Sequence, residues 1–207
     1  MARVFVHPFE LGYDPFGPLG PNPDLSPEES FSWDVGVDQT LLDGALTASL
    51  TYFELDTDNL IDYDFGTDSY FQTTGTTRRN GVEAQIKYAV ADWVDVTAAY
   101  TFTRALNPDG TRRARVPRHD IVLGLFTRPA ENWTASSIVR IVEDTVDTVS
   151  GTLVPLDDYV LVNAKVGYSP MEGMEVYVRG ENLLDEKYQV VKGYGTPGAS
   201  VYGGFVY

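Results

Sequence analysis

The chain has 207 residues with 15 Lys and Arg against 30 Asp and Glu, a net charge of −15. That balance excludes a nucleic-acid partner, which needs clustered cations against phosphate. The absence of any long unbroken apolar run excludes a transmembrane helix, and zero Cys excludes a disulfide framework, a thiolate metal site and a Cys nucleophile.

The first segment, MARVFVHPFELG, carries no apolar h-region and no small-residue cleavage site, so it does not read as a signal peptide. Residues 1–30 read as irregular, because Pro8, Pro15, Pro18, Pro21, Pro23 and Pro27 interrupt any ladder or helix. From Phe31 the hydrophobic period becomes two. Phe31, Trp33, Val35 and Val37 share one face, and Ser32, Asp34, Gly36 and Asp38 the other. Asp43-Gly44 is a tight hairpin signal. Leu46, Ala48, Leu50 and Tyr52 then alternate with Thr47, Ser49 and Thr51. Residues 56–70 are polar and rich in Asp, with a short pairing expected near Tyr63. One long strand is expected from Phe71 to Val90, and a turn at Ala91-Asp92-Trp93 leads to the alternation of Val94, Val96, Ala98, Tyr100 and Phe102. A loop over 105–117 carries Arg112, Arg113 and Arg115. Strands follow at 121–127 and 133–144, a loop at 147–155, a strand at 159–168 and a short turn at 169–173. The last stretch, Met174 to Tyr207, is a strand, a break at Asn182-Leu183-Leu184-Asp185, a Gly/Pro loop and a final strand ending on an aromatic residue.

Short turns thus alternate with longer Gly-, Asp- and Arg-rich loops, the layout of an outer-membrane barrel with tight turns on one side and long loops on the other. Tyr88, Trp93, Trp133 and Tyr168 all lie beside short turns, where a membrane-interface girdle belongs. The fold class expected is all-β, an antiparallel transmembrane β-barrel of the outer-membrane type, here incomplete with about nine strands. A soluble or secreted all-β ligand-binding module would also alternate. Strands of about ten residues favour the membrane, since soluble strands average about five or six.

Four stretches carry a family resemblance. They are Asn22-Pro23-Asp24-Leu25-Ser26-Pro27-Glu28, then Thr74-Gly75 with Asn80-Gly81-Val82-Glu83, then Arg115-Val116-Pro117-Arg118-His119, and Asn182-Leu183-Leu184-Asp185-Glu186-Lys187-Tyr188. In this order the chain resembles the C-terminal part of a TonB-dependent outer-membrane receptor, with residues 1–30 an extracellular-loop segment and 31–207 barrel strands. The resemblance implies a cell outer-membrane protein of a Gram-negative bacterium. It implies uptake of a scarce nutrient, cobalamin or a ferric siderophore, with outer-membrane lipid and lipopolysaccharide as surroundings. The TonB complex would engage only through an N-terminal plug, and about nine of about 22 strands would not transport alone. It further implies a Gly-x-x-Phe-Arg-Ala-Pro segment before Phe9-Glu10-Leu11. Residues 1–8, back-translated and read from the third base, permit Gly-Thr-Gly-Phe-Arg-Ala-Pro, so they are expected to be a frameshifted copy of that segment.

Candidate sites are few. Arg112, Arg113 and Arg115 are loop candidates for an anionic ligand or outer-leaflet lipopolysaccharide, with charge pairing to the acidic loops the plainer reading. Asp62 and Asp64 are ligand-loop candidates in an acidic stretch whose oxygens suit calcium, with a solvated loop the plainer reading. His119 reads as a structural strand-entry residue and Asn182 and Tyr188 as setters of strand geometry. No acid/base pair, nucleophile with its base, phosphate loop or resident cofactor is expected, and an enzyme is not.

Overall fold

The computed structural model describes residues 2–4, 22, 24–64 and 69–207. The period-two alternation is realised as strands β1 Ala2–Val4, β2 Glu28–Leu41, β3 Leu46–Asp58, β4 Ile61–Asp64, β5 Ser69–Gln72, β6 Thr76–Ala91 and β7 Val94–Leu106. They continue as β8 His119–Ala130, β9 Trp133–Glu143, β10 Val146–Val149, β11 Thr152–Pro155, β12 Tyr159–Met171, β13 Met174–Glu181 and β14 Ser200–Val206. Among the described residues the only helical turn is a 3₁₀ turn at Leu42–Gly44.

Ten strands form one sheet in the order β1-β2-β3-β6-β7-β8-β9-β12-β13-β14. Nine of these are long, as alternation predicts. Those longer than about ten residues reach the length of a tilted bilayer crossing. Apart from the inserted pairs β4–β5 and β10–β11, every neighbour in the order follows in sequence, so the wall is an up-and-down meander.

Register separates the two faces. Tyr100 faces Ile121, Ala98 faces Leu123, Leu123 faces Val139 and Val139 faces Val162 across four strands. This face carries Leu123 and Val166 in the open, and Phe31 and Val35 on β2 and Ile86 on β6 are likewise bare, with Phe31 58% exposed. Large apolar side chains left out in rows are stable only against a nonaqueous solvent. On the opposite face Thr97 sits across from Gly124 and Thr134 across from Gly167. A Cβ on Gly167 would stand 2.7 Å from the Thr134 hydroxyl, so the small residue is required by its cross-strand partner.

The connections alternate in length because consecutive strands are antiparallel. Three of the tight ones use left-handed residues, Asp43 (φ 52) with Gly44 (φ 94), Asn132 (φ 66) and Gly173 (φ 79), whereas the β6–β7 turn at Asp92-Trp93 does not. The chain divides into two compact units. One comprises Met1–Val35, Phe53–Gly81 and Arg104–Arg113; the other comprises Gly36–Tyr52, Val82–Thr103 and Ala114–Tyr207.

Three sequence expectations change. The strand expected over 71–90 is two strands, β5 and β6, since Gly75 takes φ +101 and ends the ladder between them. The loop expected at 147–155 is a hairpin, β10–β11, closed by Ser150 (φ 50) and Gly151 (φ 77). Residues 1–30 are not wholly irregular: Ala2–Val4 pairs with 28–30, so β2 starts at Glu28. Met1 and residues 5–8 lie outside the described residues, as does most of the segment up to Pro23.

Candidate ligand-facing loops and polar wall

The polar face of β8, β9, β12, β13 and β14 is a ladder of paired charges. The Arg140 guanidinium donates from both Nε (3.1 Å) and Nη2 (2.6 Å) to the Asp120 carboxylate. Lys165 pairs with Glu175 and stands 4.6 Å above the Tyr177 ring. Arg179 lies 3.4 Å from Glu181 and 4.7 Å above the Tyr202 ring. Paired charge on this face with bare apolar side chains on the other fits a wall between water and lipid. In the same unit, Asp38, Ser49, Gln85, Lys87 and Thr97, with Ala99 and Val122, line an open hollow of about 520 Å³.

The arginine loop is charge-paired. Arg113 Nη2 lies 3.6 Å from Asp62, and the Arg113 amide donates to the Ala105 carbonyl. Arg112 bridges Leu106 through its backbone, and its carbonyl accepts from the Asn107 side chain at 3.4 Å. Arg115 takes φ +62 and donates from Nε to Asp147 at 2.7 Å. Arg118, with a 2.7 Å contact, pairs with Asp144. Asp62 lies in β4 and Asp64 closes it opposite Ser69. The structure brings Arg113 and Asp62 together and sends Arg115 to a different carboxylate. Among the described residues no three His, Asp or Glu are grouped to hold a metal ion.

Two residues organise the loops. Asp147 is 1% exposed. Its Oδ1 accepts from Arg115 Nε and the Thr148 amide, and its Oδ2 from the Lys192 amide at 2.7 Å. Burial works against its charge, but the Lys192 amide, Arg115 and the Thr148 amide outweigh it and hold the carboxyl below the usual carboxylate range. Sequence reading missed Asp147, because its partners lie 32 and 45 residues away. The one local signal, a single Asp beside a Ser-Gly turn, is common.

Asn182 is the second. It is 6% exposed and takes φ 48. Its Nδ2 donates to the Glu186 and Pro197 carbonyls, its Oδ1 accepts the Glu186 amide, and its own amide donates to Asn163 Oδ1. Leu183 returns its amide to the Val162 carbonyl. Asp185 accepts the Ala199 amide (3.0 Å) and Lys187 Nζ (2.9 Å), which hold its carboxyl below the usual range. The Tyr188 ring sits 4.4 Å from Tyr159. The Asn182–Tyr188 motif is therefore a self-bonded turn that closes the loop after β13.

The other motif residues are also placed by hydrogen bonds. Asn22 Nδ2 donates to the Tyr70 carbonyl and its Oδ1 accepts the Asp24 amide, with Leu25 buried behind and Pro27 exposed. Glu28 accepts the Ile61 amide at 2.7 Å. Pro23 lies outside the described residues. Gly81, buried, precedes Val82 and Glu83 in β6. Pro117 precedes β8, which His119 opens on the apolar face, its Nδ1 2.8 Å from the Tyr100 hydroxyl and its ring against Phe102. Of the girdle candidates, Trp133 faces Tyr168 across the ladder with rings 4.8 Å apart. Trp93 lies in the β6–β7 turn and Tyr88 is near the end of β6, both exposed.

Comparison with known proteins adds to this geometry. The family described as TonB dependent receptor-like, beta-barrel matches residues 2–183. The metal-pseudopaline receptor CntO of Pseudomonas aeruginosa is 27% identical over 174 residues, covering 79% of this chain and 25% of the relative. The ferric-pyoverdine BN7/BN8 receptor of Pseudomonas putida is 24% identical over 188 residues, covering 85% and 22%. Among solved structures the copper transporter OprC superposes with a TM-score of 0.78 at 18% identity, over 99% of this chain and 35% of that one. The chain spans about a quarter of the length of these curated relatives.

Proposed function

Because the chain belongs to the TonB-dependent receptor β-barrel family, we propose that it forms wall strands and outer loops of a receptor that imports a chelated metal, an iron–siderophore or related metallophore complex. It is an outer-membrane protein, and its family comprises receptors and transporters, not enzymes. The soluble-module alternative has no support. The observation that carries the reading is the two-faced wall: an exposed apolar face opposite a charge-paired one, between alternately short and long connections.

Several parts of this reading go beyond family membership. The metallophore class is taken from relatives that bind pyoverdine and pseudopaline complexes, and it displaces cobalamin as the leading ligand. TonB would supply energy through a plug, lipid and lipopolysaccharide would meet the apolar face, and nucleic acid has no role at a charge of −15. Arg112, Arg113 and Asp62 would take part in ligand capture from the loops. Transport also needs partners for the outer edges of β1 and β14, since unpaired backbone groups in lipid cost several kcal/mol each.

The test is uptake by cells that carry the receptor and lack their own iron-siderophore receptors. Radiolabelled ferric pyoverdine and ferrioxamine B are offered beside labelled cobalamin, with and without TonB. TonB-dependent iron uptake is expected. Accumulation of cobalamin alone would overturn the ligand class, and a stable dispersed monomer of this chain without detergent would overturn the membrane wall.

A further inference from the structure

Asp147 has no part in pairing the main wall strands, yet it is among the most completely buried residues described. Its three donors come from three segments: Arg115 at the end of the β7–β8 connection, Thr148 in the β10–β11 hairpin, and Lys192 in the β13–β14 connection. The Arg115 amide adds a second tie, donating to the Val146 carbonyl at 2.7 Å. The Lys192 amide lies in a stretch with no ladder partner of its own, whereas Thr148 belongs to the β10–β11 ladder in which Asp147 itself sits. An amide that loses its acceptor and its water carries a desolvation penalty, so the Lys192 amide, with the Arg115 guanidinium, holds its segment to the carboxylate.

We propose that Asp147 is a positioning residue that joins these three outer connections into one body, so that a ligand touching any one of them is met by all three. The chemistry requires a carboxylate. Both oxygens accept, and an Asn side chain with its oxygen toward Arg115 and Thr148 would point an N–H at the Lys192 amide. Asp147→Asn therefore detaches the β13–β14 connection selectively. Arg115→Ala removes one donor and leaves the Lys192 bond in place. The ligand consequence rests on the receptor reading above, whereas the joining of the loops does not.

This chain contributes no Cys of its own to a spin-label test, and any Cys elsewhere in the receptor is first replaced by Ser. Cys is introduced at exposed Thr152 and Val190 in the receptor containing this chain, and the distance distribution between the labels is measured in detergent. A narrow distribution is expected for the parent, at least a twofold broadening for Asp147→Asn, and a smaller change for Arg115→Ala. An unchanged width in Asp147→Asn overturns the proposal, as does equal broadening by both variants. Heat-modifiable mobility on gels establishes that each barrel is folded, and Asp147→Ser replaces any Asn variant that is not. A functional arm measures saturation of ferric pyoverdine and ferrioxamine B uptake. Half-saturation should rise about tenfold in Asp147→Asn with maximal uptake per receptor unchanged, and a fall in the maximum alone would reject positioning. If neither complex is imported, the receptor reading fails on its ligand while the distance measurement still decides the latch.

Discussion

The loops of the two compact units differ in how deeply the side chains that fix them are buried. In the unit containing Ala114–Tyr207, the connections are fixed by buried side chains, Asp147 and Asn182, that accept from or donate to backbone groups far away in sequence. In the unit containing Phe53–Gly81 and Arg104–Arg113, the charged contacts are more open: Arg113 to Asp62 at 3.6 Å and Arg78 to Asp56 at 3.8 Å. The difference shows what stiffens an irregular loop. A charge pair in water gains little because solvent competes for both partners. A buried side chain that satisfies several backbone groups cannot be replaced by water.

The largest effect should come from Asn182→Ala. It deletes three side-chain hydrogen bonds and places Ala at φ 48, so about 3 kcal/mol of local stability is lost. Hydrogen exchange of residues 182–199 should rise sharply while the β8–β9 ladder stays protected, and unchanged protection in that loop would erase the contrast between the units.

Acid should act next. The Asp147 carboxyl is held below the ordinary range, so its folded value is lower than its unfolded value of about 3.9. Its contribution is fully present above that unfolded value and is lost as pH falls through the folded one. The Thr152–Val190 spin-label distribution should therefore stay narrow at neutral pH and broaden only below the usual carboxylate range. Broadening already near pH 6 would point to another group.

Tyr188→Leu keeps apolar bulk but removes the ring packed 4.4 Å from Tyr159. A loss of about 1 kcal/mol is expected, read as earlier unfolding of the 182–199 loop in urea. The smallest effect belongs to Arg113→Ala. Losing its 3.6 Å pair with Asp62 should cost about 0.5 kcal/mol or less and vanish in high salt. A loss as large as that of Asn182→Ala would show that the exposed loops are welded after all.

Much of the wall was legible in the sequence because its signals are local. Val82, Ala84, Ile86, Tyr88 and Val90 alternate over a length that shows the strand directly, and Asp43-Gly44 marks its turn without help from elsewhere. The break at Gly75 and the hairpin at Ser150-Gly151 were less visible. Each depends on a positive φ at one or two positions, and polar Gly-containing stretches are equally common in open loops. Among the site candidates, charge pairing was foreseeable as a class, but not the partners: Arg115 could have met any of several loop carboxylates, and Asp147 is chosen by the fold.

By itself the sequence determined the long wall strands, their two faces, the alternation of short and long connections, and, through four ordered motifs, the family, but not the β5–β6 break, the β10–β11 hairpin or the β1 pairing. These are properties of neighbours along the chain, where period and turn chemistry act within a few residues. Only the tertiary structure decided that Asp147 and Asn182 bind the loops together, and that Arg113 and Arg115 go to different carboxylates. Those choices depend on which backbone amides burial leaves without water, and burial is a property of the assembled sheet rather than of any stretch of it.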